Sequence, residues 1–101
     1  MAYVVMVDTP GMTAELYDKS GEMMGTKGRL PEGCLVHIAG PGPEGWRIVS
    51  VWDSLEKARE FATTILGPVQ AQLGVAPVKP PVVWELYSLE VEPQPAAARN
   101  I

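Results

Sequence analysis

The sequence predicts an α+β fold, a four-stranded antiparallel sheet with two helices on one face. Three observations carry this. Valine-rich apolar segments and helical patterns follow one another in the order strand, helix, strand, strand, helix, strand. The two middle strands are joined by a Gly/Pro turn of hairpin length. The second of them ends at Val51-Trp52-Asp53-Ser54, where the next helix begins without a linker. Right-handed crossovers then place both helices on the same side of the sheet.

The first strand is Tyr3 to Val7, a nearly continuous apolar run of the kind covered on both faces. Asp8-Thr9-Pro10-Gly11 stops it. Thr13 reads as a helix N-cap, with Glu15 in the first turn where the helix dipole favours a carboxylate. Leu16, Tyr17, Ser20, Met23 and Met24 share one face, so the first helix covers about 13 to 24. Residues 25 to 33 form a loop. Cys34 to Ala39 is the second strand, residues 40 to 45 the turn, and Trp46 to Trp52 the third strand. Asp53 and Glu56 have capping-box spacing, with Ser54 as the alternative cap. Leu55, Ala58, Ala62, Ile65, Val69 and Leu73 then mark a strongly amphipathic helix, flanked by Phe61 and Leu66. Gly67-Pro68 interrupts it; the proline fits the start of a new turn and otherwise kinks the helix. Val82 to Val91 is the last strand.

These elements make one domain, residues 1 to 91, followed by a tail over 92 to 101 that has little to bury and is expected to be disordered or to lie along a partner. The chain has 101 residues, 47% apolar and 20% charged, a globular composition. A net charge of −4 without a basic cluster disfavours nucleic acid and anionic membrane surfaces as partners. The start of the chain lacks a basic segment and is too short for a secretory signal, and no apolar run reaches the roughly 18 residues of a membrane span. A soluble cytoplasmic protein is expected. The single cysteine, Cys34, lies in an apolar strand pattern and reads as a buried structural thiol.

The strands carry apolar residues at both parities, for example Val4 and Met6 beside Val5 and Val7, or Val82 and Trp84 beside Val83. Two helices cover only one side of the sheet. The other side would be an unusually large apolar patch on a monomer. A homodimer, sheet face against sheet face, is the expected solution.

At this point the chain resembles the dimeric α+β barrel superfamily, whose monomers are ferredoxin-like, and within it the antibiotic biosynthesis monooxygenase-like group. The resemblance rests on Tyr17 in AELYD, Gly33 to His37 before the turn, Gly45-Trp46-Arg47, Val51 to Ser54, Phe61 and Leu66-Gly67-Pro68, and spans roughly residues 3 to 91. It implies two such βαββαβ monomers forming a barrel. Members include cofactor-free quinone-forming oxygenases, haem-degrading enzymes and proteins without a known reaction, so the fold alone does not name the chemistry.

His37 is the only histidine. A neutral imidazole in mid-strand can act as a general base toward a phenol or enol, or can simply pack as a hydrogen-bonded interior residue. Tyr17 and Trp52 join it as candidate catalytic and pocket residues. Trp84 and Phe61 are candidate walls for a flat substrate, and Arg47 a candidate partner for an acidic group; the plainer reading of each is packing, or for Arg47 an ion pair with a carboxylate such as Glu85. Trp46 reads as a partly exposed hairpin residue or dimer contact. No second histidine or cysteine supports a metal site. Glycines 40, 42 and 45 lack the strand-to-helix setting of a phosphate loop, and there is no nucleophile elbow.

The face of His37 depends on hairpin parity. If Ala39 pairs with Trp46, His37 shares a face with Trp52; if Ile38 pairs with Trp46, it joins Arg47 on the other. The resulting expectation is a cofactor-independent monooxygenase-like homodimer that acts on or binds a small apolar aromatic or polyketide-like metabolite, with no metal or flavin. The alternative is a non-catalytic dimeric ligand-binding or interaction module, separated from the first by whether a cavity with converging polar groups exists. Haem degradation is a weaker alternative, because the resemblance puts the haem-binding histidine of those relatives on a helix and His37 lies on a strand.

Overall fold

The computed structural model describes residues 1–92. The expected tail, apart from its first residue, lies outside the described residues. Strand β1 (Tyr3–Thr9), helix α1 (Ala14–Met24), β2 (Cys34–Gly42), β3 (Gly45–Trp52), α2 (Leu55–Phe61), α3 (Gly67–Leu73) and β4 (Val82–Glu85) follow in order. A π-helical turn, Ala62–Leu66, joins α2 to α3. The sheet order is β2-β3-β1-β4, and every neighbouring pair is antiparallel. This is the ferredoxin-like arrangement expected from the sequence.

The caps follow the local chemistry. Thr13 Oγ1 accepts from the Leu16 N–H at the start of α1, and Gly25 closes that helix in the left-handed region at φ 71°. Ser54, not Asp53, caps α2: its side chain accepts from the Lys57 N–H, while Asp53 pairs with Lys57 at 3.5 Å.

Three departures from the sequence reading matter for the site. First, the hairpin is longer than expected. Pro41 pairs with Trp46, Ala39 with Ile48 and His37 with Ser50. Neither anticipated pairing occurs, but the parity is that of the first, so His37 shares the face of Trp52. Second, the ladder shifts between Cys34 and Val36, leaving Leu35 as the extra residue of a bulge. Cys34 is thereby turned onto the face of Trp52, whereas strict alternation would have put it with Val36. Third, β4 ends at Glu85, six residues early. Its partner β1 begins at Tyr3, opposite Glu85, and one further bond runs from the Leu86 N–H to the Ala2 carbonyl.

The amphipathic stripe of the second helix also breaks where the π turn falls. The Gly67 N–H reaches the Ala62 carbonyl, five residues back. A Cβ on Gly67 would lie 2.9 Å from that oxygen, so glycine is what lets the turn close. Pro68 follows with no N–H to donate, and Thr64 Oγ1 donates to the Glu60 carbonyl at 2.7 Å. The extra residue rotates the following turns. Ile65, expected on the buried face, is 41% exposed, and Leu66 and Gln70 take the inward positions.

Trp52, Cys34 and Ala58 form the buried core, with Val5 and Phe61 against it. The rings of Trp52 and Phe61 lie 5.6 Å apart at 40°, and the Trp52 indole N–H donates to Ser50 Oγ at 2.9 Å. The opposite sheet face carries none of the helices. Val4 and Val51 are buried at its centre, and Ile38 and Trp84 stand 60% and 45% exposed around them.

Candidate functional site

Between the helices and the sheet lies a cavity of about 530 Å³. Its walls come from β1 (Val5, Val7), β3 (Ile48, Ser50, Trp52), α1 (Tyr17, Met24) and the second helical segment (Phe61, Leu66, Gln70), with Cys34 and His37 from β2. The volume and largely apolar lining suit a drug-sized ligand.

His37 stands at the accessible rim of this cavity, and its Nε2 is hydrogen-bonded to the Tyr17 hydroxyl. The two rings stack at a centroid separation of 6.0 Å and 20°. Tyr17 also lies against Trp46, 5.3 Å between centroids. Partial burial of the imidazole lowers the His37 pKa below the ordinary histidine value. Burial, and then the nearby Asp18 carboxylate, raise that of Tyr17. At neutral pH the pair is therefore a neutral imidazole and an un-ionised phenol. In the tautomer with hydrogen on Nδ1, Tyr17 donates to Nε2 and holds the ring in place. Displacement of the phenol by a ligand hydroxyl turns the same lone pair on the ligand.

Cys34 is buried in the wall of the same cavity, packed with Trp52 and Ala58. Burial raises its pKa, and its thiol donates to the Val36 carbonyl at 3.4 Å, so it serves packing rather than nucleophilic chemistry. Among the described residues no three or more His, Cys, Asp or Glu side chains gather as metal ligands.

The fold thus brings His37, Tyr17, Trp52 and Phe61 together on one cavity. Two other candidates lie elsewhere. Arg47 sits on the opposite sheet face, paired cross-strand with Asp8: Nε donates to Oδ1 at 2.8 Å and Nη2 to Oδ2 at 3.1 Å. Its partner is Asp8, not Glu85, because β1 separates β3 from β4 in the sheet. The guanidinium holds the Asp8 carboxyl below the usual carboxylate range. Trp84 pairs with Val4 on that same opposite face, since β4 takes its parity from β1. Trp46, expected as a partly exposed hairpin residue or dimer contact, is partly exposed and packs on Tyr17, with a buried indole N–H that has no acceptor among the described residues. Gln70 was not singled out in the sequence, because the helical period places it off the apolar stripe; only the π turn brings it inward.

No protein-family model and no curated protein matches the sequence. Solved structures do. A proposed antibiotic biosynthesis monooxygenase from Chloroflexus aurantiacus superposes with TM-score 0.62 at 13% identity, covering 90% of this chain and 98% of that one. SnoaB, a cofactor-independent oxygenase from Streptomyces nogalater, gives 0.54 at 13% identity over 90% and 96% of the two chains. A proposed antibiotic biosynthesis monooxygenase from Caulobacter crescentus gives 0.51 at 20% identity over 88% and 89%. The class of protein defined here is a ferredoxin-like α+β domain with an apolar cavity under its helices. In particular, it has the fold of the antibiotic biosynthesis monooxygenase-like proteins, in agreement with the resemblance read from the sequence.

Proposed function

We propose that this protein binds a small, largely apolar aromatic or polyketide-like metabolite in the cavity and oxygenates it without metal or flavin, His37 acting as base. The observation that carries this reading is the neutral His37–Tyr17 pair set at the rim of a largely apolar cavity of about 530 Å³. The fold shared with a cofactor-independent oxygenase supports it. A substrate of the anthrone or naphthol type can become an electron-rich anion. His37 Nε2 takes its acidic proton, the carbanion reduces dioxygen, and a ring CH₂ becomes C=O. One oxygen atom enters the carbonyl and the other leaves as water, so the four-electron balance closes without a further reductant. The cavity supplies a dry environment in which the anion is not quenched. Tyr17 fixes the imidazole before substrate arrives, and Trp52 and Phe61 offer aromatic walls.

In this reading the helix-free sheet face, centred on Val4 and Val51 and ringed by Ile38 and Trp84, is covered by a second copy of the chain.

A thermal-shift screen with anthrone- and naphthol-type phenols, fatty acids, flavins and haemin tests the reading. A true ligand at about 100 times its dissociation constant adds roughly 2.7 kcal/mol of stability. Selective shifts with the phenols, followed by oxygen uptake, are expected. A Soret band with haemin that disappears in His37→Ala, and no response to phenols, would move the assignment to haem chemistry.

A further inference from the structure

Five buried side chains lining the cavity carry an O–H, S–H, N–H or amide group: Ser20, Cys34, Ser50, Trp52 and Gln70. Four of them have partners. Ser20 donates to the Tyr17 carbonyl at 2.7 Å, Cys34 to the Val36 carbonyl, Trp52 to Ser50 Oγ, and Ser50 to the Val5 carbonyl at 3.5 Å. Gln70 is 5% exposed, and among the described residues its side-chain amide makes no hydrogen bond. Its backbone carbonyl is occupied by the Val75 N–H, so the residue itself is held firmly. The orphan buried side-chain atom of the described residues is Trp46 Nε1, not the Gln70 amide; that amide therefore opens onto the cavity. An amide that opens onto a largely apolar cavity is placed to hydrogen-bond a ligand bound there.

Its position is also built. An uninterrupted α-helix carries the stripe from Ala62 through Ile65 to Val69, and the π turn sealed by Gly67 replaces that path with Leu66 and Gln70. π turns of this kind occur often at functional sites.

We propose that Gln70 is a specificity-determining binding residue, the second polar anchor of the cavity, and that the ligand carries a second oxygen away from the one presented to His37. A glutamine amide both donates and accepts, so a carbonyl or a hydroxyl at that position is satisfied. The preferred ligand is then a fused aromatic with oxygen functions at two separated positions over one with a single oxygen. The inference rests on the proposed binding reading and names the ligand's second contact.

The test compares full-length wild type with Gln70→Met, an apolar side chain of similar length, using quenching of tryptophan fluorescence by 1-naphthol and by a dihydroxyanthrone. The expected result is an affinity for the dihydroxyanthrone about tenfold weaker in the variant, the worth of one hydrogen bond, with 1-naphthol unchanged. Without ligand the melting temperature of the variant is expected to stay essentially unchanged, because the amide makes no hydrogen bond among the described residues. Equal loss for both probes, or no loss for either, overturns the role of Gln70 while leaving the cavity reading intact. So does a lower melting temperature, which marks a structural hydrogen bond. Wild type that binds neither probe overturns the binding reading and the Gln70 inference together. Gly67→Ala, which presses a Cβ onto the Ala62 carbonyl, should reproduce the selective loss by turning Gln70 out of the cavity.

Discussion

On the helix side of the sheet, Val5, Ile48 and Trp52 face α1 and the second helical segment across a cavity, with His37 and Tyr17 at its rim. On the other side, Val4, Val51 and Trp84 form an equally apolar surface that, among the described residues, carries no helix, and there Asp8 and Arg47 make a charged cross-strand pair. The strands supply both faces from the same valine-rich runs, so composition does not distinguish them. The difference lies in where polar groups stand. On the cavity side the sheet contributes neutral ones, His37 and Ser50, and the charged Asp18, Lys27 and Arg29 come from the first helix and the loop after it. On the other it contributes a charged pair satisfied within the chain.

The two buried-side and open-side tryptophans sharpen this comparison most. Trp52→Ala is expected to cost about 3–5 kcal/mol of stability, the usual range for removing a buried aromatic, measured by chemical denaturation. Trp84→Ala, with 45% of the residue already exposed, should cost much less in the same assay. Equal losses would mean that the two faces are buried alike.

Next in size is the chemical role of His37. If it is the base, His37→Ala lowers oxygenation of a phenolic substrate at least about 100-fold while naphthol binding persists. Wild-type turnover in that variant removes the assignment. On the open face, Ile38→Glu combined with Trp84→Glu should convert a dimer to a monomer in light scattering without abolishing ligand binding. A variant that remains dimeric would place the subunit contact elsewhere.

A smaller effect is the pH dependence. The folded-state pKa of His37 is lowered, so at pH values between its folded and unfolded values the unfolded chain binds more protons. This contribution to stability is therefore present above the ordinary histidine value and is lost as pH falls through the lowered folded one. Activity should fall along the same acid limb, because protonated imidazole is no base. The rim exposure of His37 keeps this shift modest, and His37→Gln should flatten both profiles. The smallest effect belongs to Arg47→Gln, which should leave ligand affinity unchanged, since its guanidinium is on the opposite face. A marked loss of affinity would show that the two faces communicate.

The order and type of the elements were legible in the chain because they follow from local chemistry. Period-two and helical apolar patterns, the Thr13 and Ser54 caps and the Gly/Pro turn each act over a few residues. The same is true of the apolar character of the second sheet face, which follows from apolar residues at both parities. His37, Tyr17, Trp52 and Phe61 were identifiable as site candidates by residue type, but their meeting on one cavity was not. That depended on hairpin parity, which moves every side chain of a strand from one face to the other. The placement of Arg47 and Trp84 on the far face follows from the same parity carried across β1. Two single-residue insertions in otherwise regular elements, the bulge at Leu35 and the π turn ahead of Gly67, decided the rest. One turned Cys34 inward and the other replaced Ile65 with Leu66 and Gln70. Both depend on how a strand or helix end is held by its neighbours, a non-local condition, so only the tertiary structure determines which face Gln70 occupies.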